Sequence, residues 1–158
     1  MMIANGFTFI ETLCVVLLMG IATTLAVPAL DSAFTETKID AVTALIVGDI
    51  RYAQSLAIRT QQLHSVIFNP ANDTYRLVNQ GGTTIQHPLT KQAYQVNFVT
   101  QARWHGIDLV STTFAGGTNT VTFDALGAPQ SAGIVTLHFT GKQRLISVAH
   151  PTGRVVYQ

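Results

Sequence analysis

Charged side chains are scarce in this chain, and their placement is more telling than their number. Asp, Glu, Lys and Arg make up 11% of the 158 residues, and Glu11 is the one charged side chain between Met1 and Leu30. A formal net charge of +1, with no block of like charges, excludes a strongly electrostatic nucleic-acid binder. The single cysteine, Cys14, excludes an intramolecular disulfide, so any folded domain stands on packing alone. Within its apolar run, Cys14 reads as a small membrane-helix side chain. No Lys or Arg precedes Gly6, so the basic start of a Sec-type signal peptide is missing.

The patterns that carry chemistry are also missing. His64, His87, His105, His138 and His150 form no H-x-x-x-H or H-E-x-x-H spacing, and no carboxylate cluster completes a metal site. His105, Asp108 and Ser111 lie close in sequence, but no nucleophile elbow surrounds Ser111. Gly81-Gly82 and Gly116-Gly117 read as turns, not as a phosphate loop. The expectation is a protein that is not an enzyme and has no cofactor and no metal.

What remains is an anchor and a modest domain. From Thr12 to Leu30 no residue is charged, which gives about 28 Å of helix, enough to cross a hydrocarbon core. A carboxylate at the centre of such a segment costs roughly 2.5–3.5 kcal/mol, which makes Glu11 a functional candidate. A plain single-pass anchor gives no reason for Gly6 or Glu11. Pro28 removes an N–H and crowds the preceding turn, so a bend or local unwinding is expected near Thr24.

Beyond Asp31 the spacing of Ile39, Val42, Leu45, Ile46, Ile50, Ala53, Leu56 and Ala57 predicts an amphipathic helix to about residue 63. Arg51 and Arg59 fall mainly on the solvated side. Asp49 does not, because it sits near the middle of the apolar stripe. Either it pairs with a basic residue of the sheet or the helix is open to solvent there, the second being the preferred reading.

From Ser65 onward, short runs rich in Thr, Val, Ile and aromatics predict strands at 65–69, 74–78, 83–87, 94–100, 107–113, 120–124, 134–140 and 144–149. Asn69-Pro70, Gly127-Ala128-Pro129 and Gly141-Lys142 mark turns between them. Short spacings argue for antiparallel hairpins. The predicted class is α+β, a long helix packed on a small antiparallel sheet or pair of sheets. Trp104 reads as a core residue, with an exposed partner-binding element as the alternative.

A Gly before an apolar run, with a Glu five residues on, resembles the leader of type IV pilins and type II secretion pseudopilins. The run 49–57, then Val121–Pro129, Ile134–Leu137 and Pro151–Val155, resembles the GspH/FimT branch of that family. The resemblance implies a leader at 1–6, a transmembrane assembly helix at 7–30 and a periplasmic domain at 31–158. It implies cleavage between Gly6 and Phe7 by a prepilin peptidase, which also N-methylates Phe7. It makes Glu11 the assembly glutamate and Pro28 the helix-kinking proline.

The partners so implied are other pseudopilins or pilins in a filament, the peptidase/methyltransferase and the inner membrane. The expected location is the bacterial inner membrane, single-pass, with the C-terminal domain in the periplasm. The expected function is a minor pseudopilin, a structural subunit of the type II secretion pseudopilus. The alternative is a FimT-like minor pilin of a type IV pilus with a role in DNA uptake. Arg154 would then touch nucleic acid, a minority reading because a single arginine neutralises little phosphate.

Overall fold

One helix face, from Ile39 to Ala57, organises the domain. In the computed structural model residues 8–158 are described, with the side chains of 25–32 excepted. The first element is α1 (Phe9–Thr60), 52 residues long. The chain divides into two units, one ending at Glu36 and the other running from Thr37 to Gln158. In the first unit the apolar side chains of 9–21 are exposed on every side of the helix, Phe9 at 85% and Leu18 at 64%. In the second, Ile39, Val42, Ile46, Ile50, Ala53 and Ala57 are buried at the three- and four-residue spacing of one helical face. Residues 33–60 are apolar enough to resemble a membrane span, but half of that stretch is buried inside the domain. It is a core helix.

The helix ends three residues earlier than the periodicity predicts. Gln61 takes a left-handed backbone conformation, φ 55°, and its side-chain amide donates to the Ile58 carbonyl at 2.8 Å. An apolar residue at 63 therefore extends the pattern beyond the helix itself.

Eight strands follow: β1 (His64–Asn69), β2 (Thr74–Asn79), β3 (Gln95–Asn97), β4 (Asp108–Phe114), β5 (Thr120–Phe123), β6 (Gly133–Phe139), β7 (Lys142–Val148) and β8 (Val155–Tyr157). They form two four-stranded antiparallel sheets, ordered β3-β2-β1-β5 and β4-β6-β7-β8. Two sheets, not one, resolve the alternative left open by the strand pattern. Alternate residues of each sheet face the helix, among them Val66, Phe68, Leu77 and Phe123 from the first and Leu109, Leu137, Ile146 and Val148 from the second. Each such side chain, fully buried, contributes about 1.5–3 kcal/mol relative to exposure.

Two strand predictions need correction. Residues 83–87 form no strand, only bridges at Val78↔Thr84 and Gln86↔Ala93, because the loop folds back on β2 with Ile85 N–H donating to the Leu77 carbonyl. Conversely, the C-terminal Val155–Tyr157 pairs with β7 as an edge strand too short to show a period of its own. An irregularity between Leu109 and Ser111 leaves Val110 exposed on β4.

Close approach at Gly133 joins β6 to β4. A Cβ built there would overlap the Phe114 ring, which itself stacks on Phe68 at 6.3 Å. Gly133→Ala should therefore destabilise residues 37–158 by about 1–3 kcal/mol, the usual cost of overpacking. Adding Phe114→Leu should recover part of that loss; urea unfolding of the two variants measures both.

Candidate functional site

The assembly candidates sit at the start of α1. Thr8 precedes the helix, and the Glu11 N–H donates to Thr8 Oγ1 at 3.3 Å and to the Thr8 carbonyl at 3.1 Å. Thr8-Phe9-Ile10-Glu11 thus carries the spacing of a capping box, and Glu11 lies in the first turn, where the helix dipole favours a negative charge. Glu11 is exposed, as is every described side chain around it. Gly6 and Phe7 lie outside the described residues. Pro28 falls within the span of α1, but its side chain and the expected bend are outside what is described.

Asp49 meets neither expectation. It is 5% exposed and, among the described residues, forms no ion pair with a Lys or Arg. Instead Tyr75 donates its hydroxyl to Asp49 Oδ2 at 2.5 Å, and Tyr94 donates to Oδ1 at 2.7 Å. His87 packs on the Tyr94 ring at 4.6 Å, and Tyr52 stacks on the same ring at 5.8 Å. Burial pushes the Asp49 carboxyl above its ordinary range, while the two tyrosines and His87 work against that rise. Tyr75 and Tyr94 are both pushed upward, first by burial and then by the adjacent carboxylate. The spacing of the helix stripe placed Asp49 correctly; its partners, 26 and 45 residues away, leave no local signal.

Asp40, unlike Asp49, pairs with a basic residue: its Oδ1 accepts from Arg144 Nε at 2.8 Å. Nearby, Lys38 donates to the His105 carbonyl at 2.6 Å and lies over the Phe139 ring.

At the far end of the helix, Gln54 joins two C-terminal turns. Its Nε2 donates to the Gly127 carbonyl at 2.8 Å and reaches the Thr152 carbonyl at 3.5 Å. Gly127 and Gly153 both have positive φ, and a Cβ on Gly127 would stand 2.6 Å from Ile58 Cδ1. A Cβ on Gly153 would collide with the Gln54 amide. Arg51 completes the junction by donating to the Val155 carbonyl at 3.3 Å. The helix run and the two C-terminal turns therefore meet at one place, a contact that their separation in sequence hides.

The remaining candidates scatter. Arg154 is exposed on the turn before β8. Trp104 is half-buried against the core, with Arg103 stacked on its ring at 4.9 Å. His105, Asp108 and Ser111 are all exposed and share no hydrogen bond. Among the described residues no group of His, Cys, Asp and Glu is arranged to hold a metal.

Residues 43–152, more than two-thirds of the chain, match the family of the type II transport protein GspH. The chain belongs to the GspH family. Several solved structures share its fold, among them the following. The type IV minor pilin FimU of Pseudomonas aeruginosa matches with a TM-score of 0.56 and 18% identity, over 79% of this chain and 92% of that one. The minor pseudopilin EpsH from the type 2 secretion system of Vibrio cholerae matches with a TM-score of 0.57 and 10% identity, over 75% and 94%. At such identities the likeness is of fold alone. No curated protein matches the chain. Membership in the GspH family makes this a structural protein of the pseudopilin kind and not an enzyme.

The Asp49 cluster is then a structural device of this GspH-family domain, and its ionisation has a definite sign. An acid whose folded pKa is raised binds its proton more tightly when folded. The group's contribution to stability is best below its ordinary value of 3.8 and falls as pH rises through the folded pKa. Asp49→Asn should remove this component, so stability measured by urea unfolding between pH 4 and 7 should change less than in the parent. Asp49→Leu should cost about 2–4 kcal/mol, because two buried hydroxyls lose their acceptor.

Proposed function

We propose that this GspH-family chain works as a minor pseudopilin, made as a membrane precursor and built into a filament that serves type II secretion. The observation that carries the reading is the contrast within α1. The apolar side chains of residues 9–21 are exposed all round, while the helix from Ile39 onward buries a single face in its own domain. A helix surface that is apolar on every side is stable in lipid or among other such helices, not in water. The proposed location is the bacterial inner membrane, with residues 31–158 in the periplasm.

Processing follows the leader. A prepilin peptidase would cut between Gly6 and Phe7 and methylate the Phe7 amine. The new terminus then lies one residue before Thr8, next to the first helical turn. Glu11, uncompensated by any positive side chain in the first thirty residues, would pair with the Phe7 amine of a neighbouring subunit as the helix leaves the bilayer. Pro28 would supply the bend between the two halves. The partners are other pseudopilins, the peptidase and the membrane.

Two variants separate assembly from helix capping. Glu11→Ala and Glu11→Gln should both be cleaved normally yet fail to enter filaments, scored by precursor processing and by cross-linking to pseudopilins. Glu11→Gln keeps a polar cap, so its normal incorporation would assign Glu11 to capping alone.

The pilus alternative has one point of support. Arg154 is exposed, and Arg51 donates to the carbonyl of the next residue, Val155. Two cations favour weak, salt-sensitive DNA binding at most. A gel shift with residues 37–158 should therefore show no retardation at physiological salt; a shift abolished by Arg154→Ala would establish the alternative.

A further inference from the structure

A concavity of about 820 Å³ opens on the outward face of the first sheet. Its size falls within the range of ligand pockets, about 300–1,000 Å³. Strand register builds its floor. Ile67, Arg76 and Gln95 stand opposite one another across β1, β2 and β3, and Asn69, Thr74 and Asn97 form the next row. Asn72 and Asn119 add two more primary amides to the lining.

The hydrogen bonds inside this wall decide what it offers. Asn97 Oδ1 accepts the N–H groups of Val99 and Thr100 at 2.8 and 2.9 Å. Asn119 Oδ1 accepts the Thr112 hydroxyl at 2.7 Å. Both amides have committed their oxygens and keep their N–H donors. Among the described residues the side chains of Asn69, Asn72 and Gln95 make no hydrogen bond, so each retains a donor and an acceptor. Arg76 is exposed and, among the described residues, has neither a hydrogen bond nor an ion pair. Asp73 is the one carboxylate on the lining, and its Oδ1 is held by the Leu109 N–H at 2.9 Å.

We propose that this concavity is a docking site for an extended, acidic segment of a partner protein. The Arg76 guanidinium takes a carboxylate of that segment in its fork, and the amide rows take main-chain groups. The pairing follows from charge and from shape. A free guanidinium matches a carboxylate bidentately. A primary amide presents a donor and an acceptor side by side, the complement of a peptide unit. A sugar ligand would need an exposed ring to stack on, but Phe68 and Tyr75 in this lining are 2% and 1% exposed. A nucleic acid would need more than one cation. The site makes no use of the anchor or of Glu11, so its test is independent of the assembly reading.

The experiment uses the full chain in detergent micelles and follows the side-chain amide signals of Asn97 and Asn119 by nuclear magnetic resonance. The probe is a blocked pentapeptide of serine and threonine with a central glutamate. Saturable shifts of both amides are expected, with binding weakened about fivefold or more by Arg76→Ala and by glutamine in place of the probe's glutamate, the loss of one charge-assisted contact. Arg76→Lys should keep part of the affinity, and an unchanged Tm should show that Arg76→Ala remains folded. Absence of shifts at millimolar peptide would overturn the proposal. So would equal binding of the glutamate and glutamine peptides, unaltered affinity in Arg76→Ala, or the same shifts produced by a chitin tetrasaccharide.

Discussion

Everything in the domain depends on burying one face of α1, from Ile39 to Ala57, against two sheets at once. Buried side chains of both sheets join that helix face in one core cluster. The sheets also touch directly, through the Phe68–Phe114 stack. That contact explains why Gly133 tolerates no side chain: the Phe114 ring must lie flat across β6 to reach Phe68. Register in both sheets follows from this burial, since a one-residue slip would turn Val66, Leu77 or Leu137 away from the helix.

Asp49 breaks the apolar face and is stabilised only because the fold brings two hydroxyls to it. A buried carboxylate without partners would cost several kcal/mol. With Tyr75 from β2 and Tyr94 from the loop after it, the cluster fixes where the first sheet and its long loop sit on the helix. A hydrophobic residue at 49 would bury as well but would not distinguish one placement of that loop from another. The same loop leads into β3, whose Gln95 and Asn97 form part of the outward concavity, so the polar core cluster and the outer face are mechanically linked.

The large features were legible in the sequence because they rest on local periodicity. The apolar run, the helix stripe and the hairpin turns each show within a few residues, and the structure agrees with the α+β reading drawn from them, as the family does with the resemblance of the leader and branch motifs. What was not legible rests on long-range pairing. The partners of Asp49 lie in a different element, residues 83–87 look like a strand but pair only through bridges, and Val155–Tyr157 is too short to announce itself. Gln54, Gly127 and Gly153 each stood in a recognised segment, yet nothing in those segments says that the three meet.

The polar ties along the helix acquire a common meaning if the chain is drawn from a bilayer by its N-terminal half. Load entering the domain through α1 would first reach Lys38 and Asp40, which hold the His105 carbonyl and Arg144. It would next meet Asp49 and its two tyrosines, and last Arg51 and Gln54 at the C-terminal turns. Each tie joins the helix to a different part of the sheets. Apolar burial resists separation but is non-directional, and a helix can slide along its own axis with little loss of contact. Hydrogen bonds with fixed geometry resist that sliding, because a shift of about one residue, 1.5 Å, breaks them all. A core helix that doubles as an anchor therefore needs polar registration as well as an apolar face, and the buried Asp49 lies midway along the interface where such registration acts.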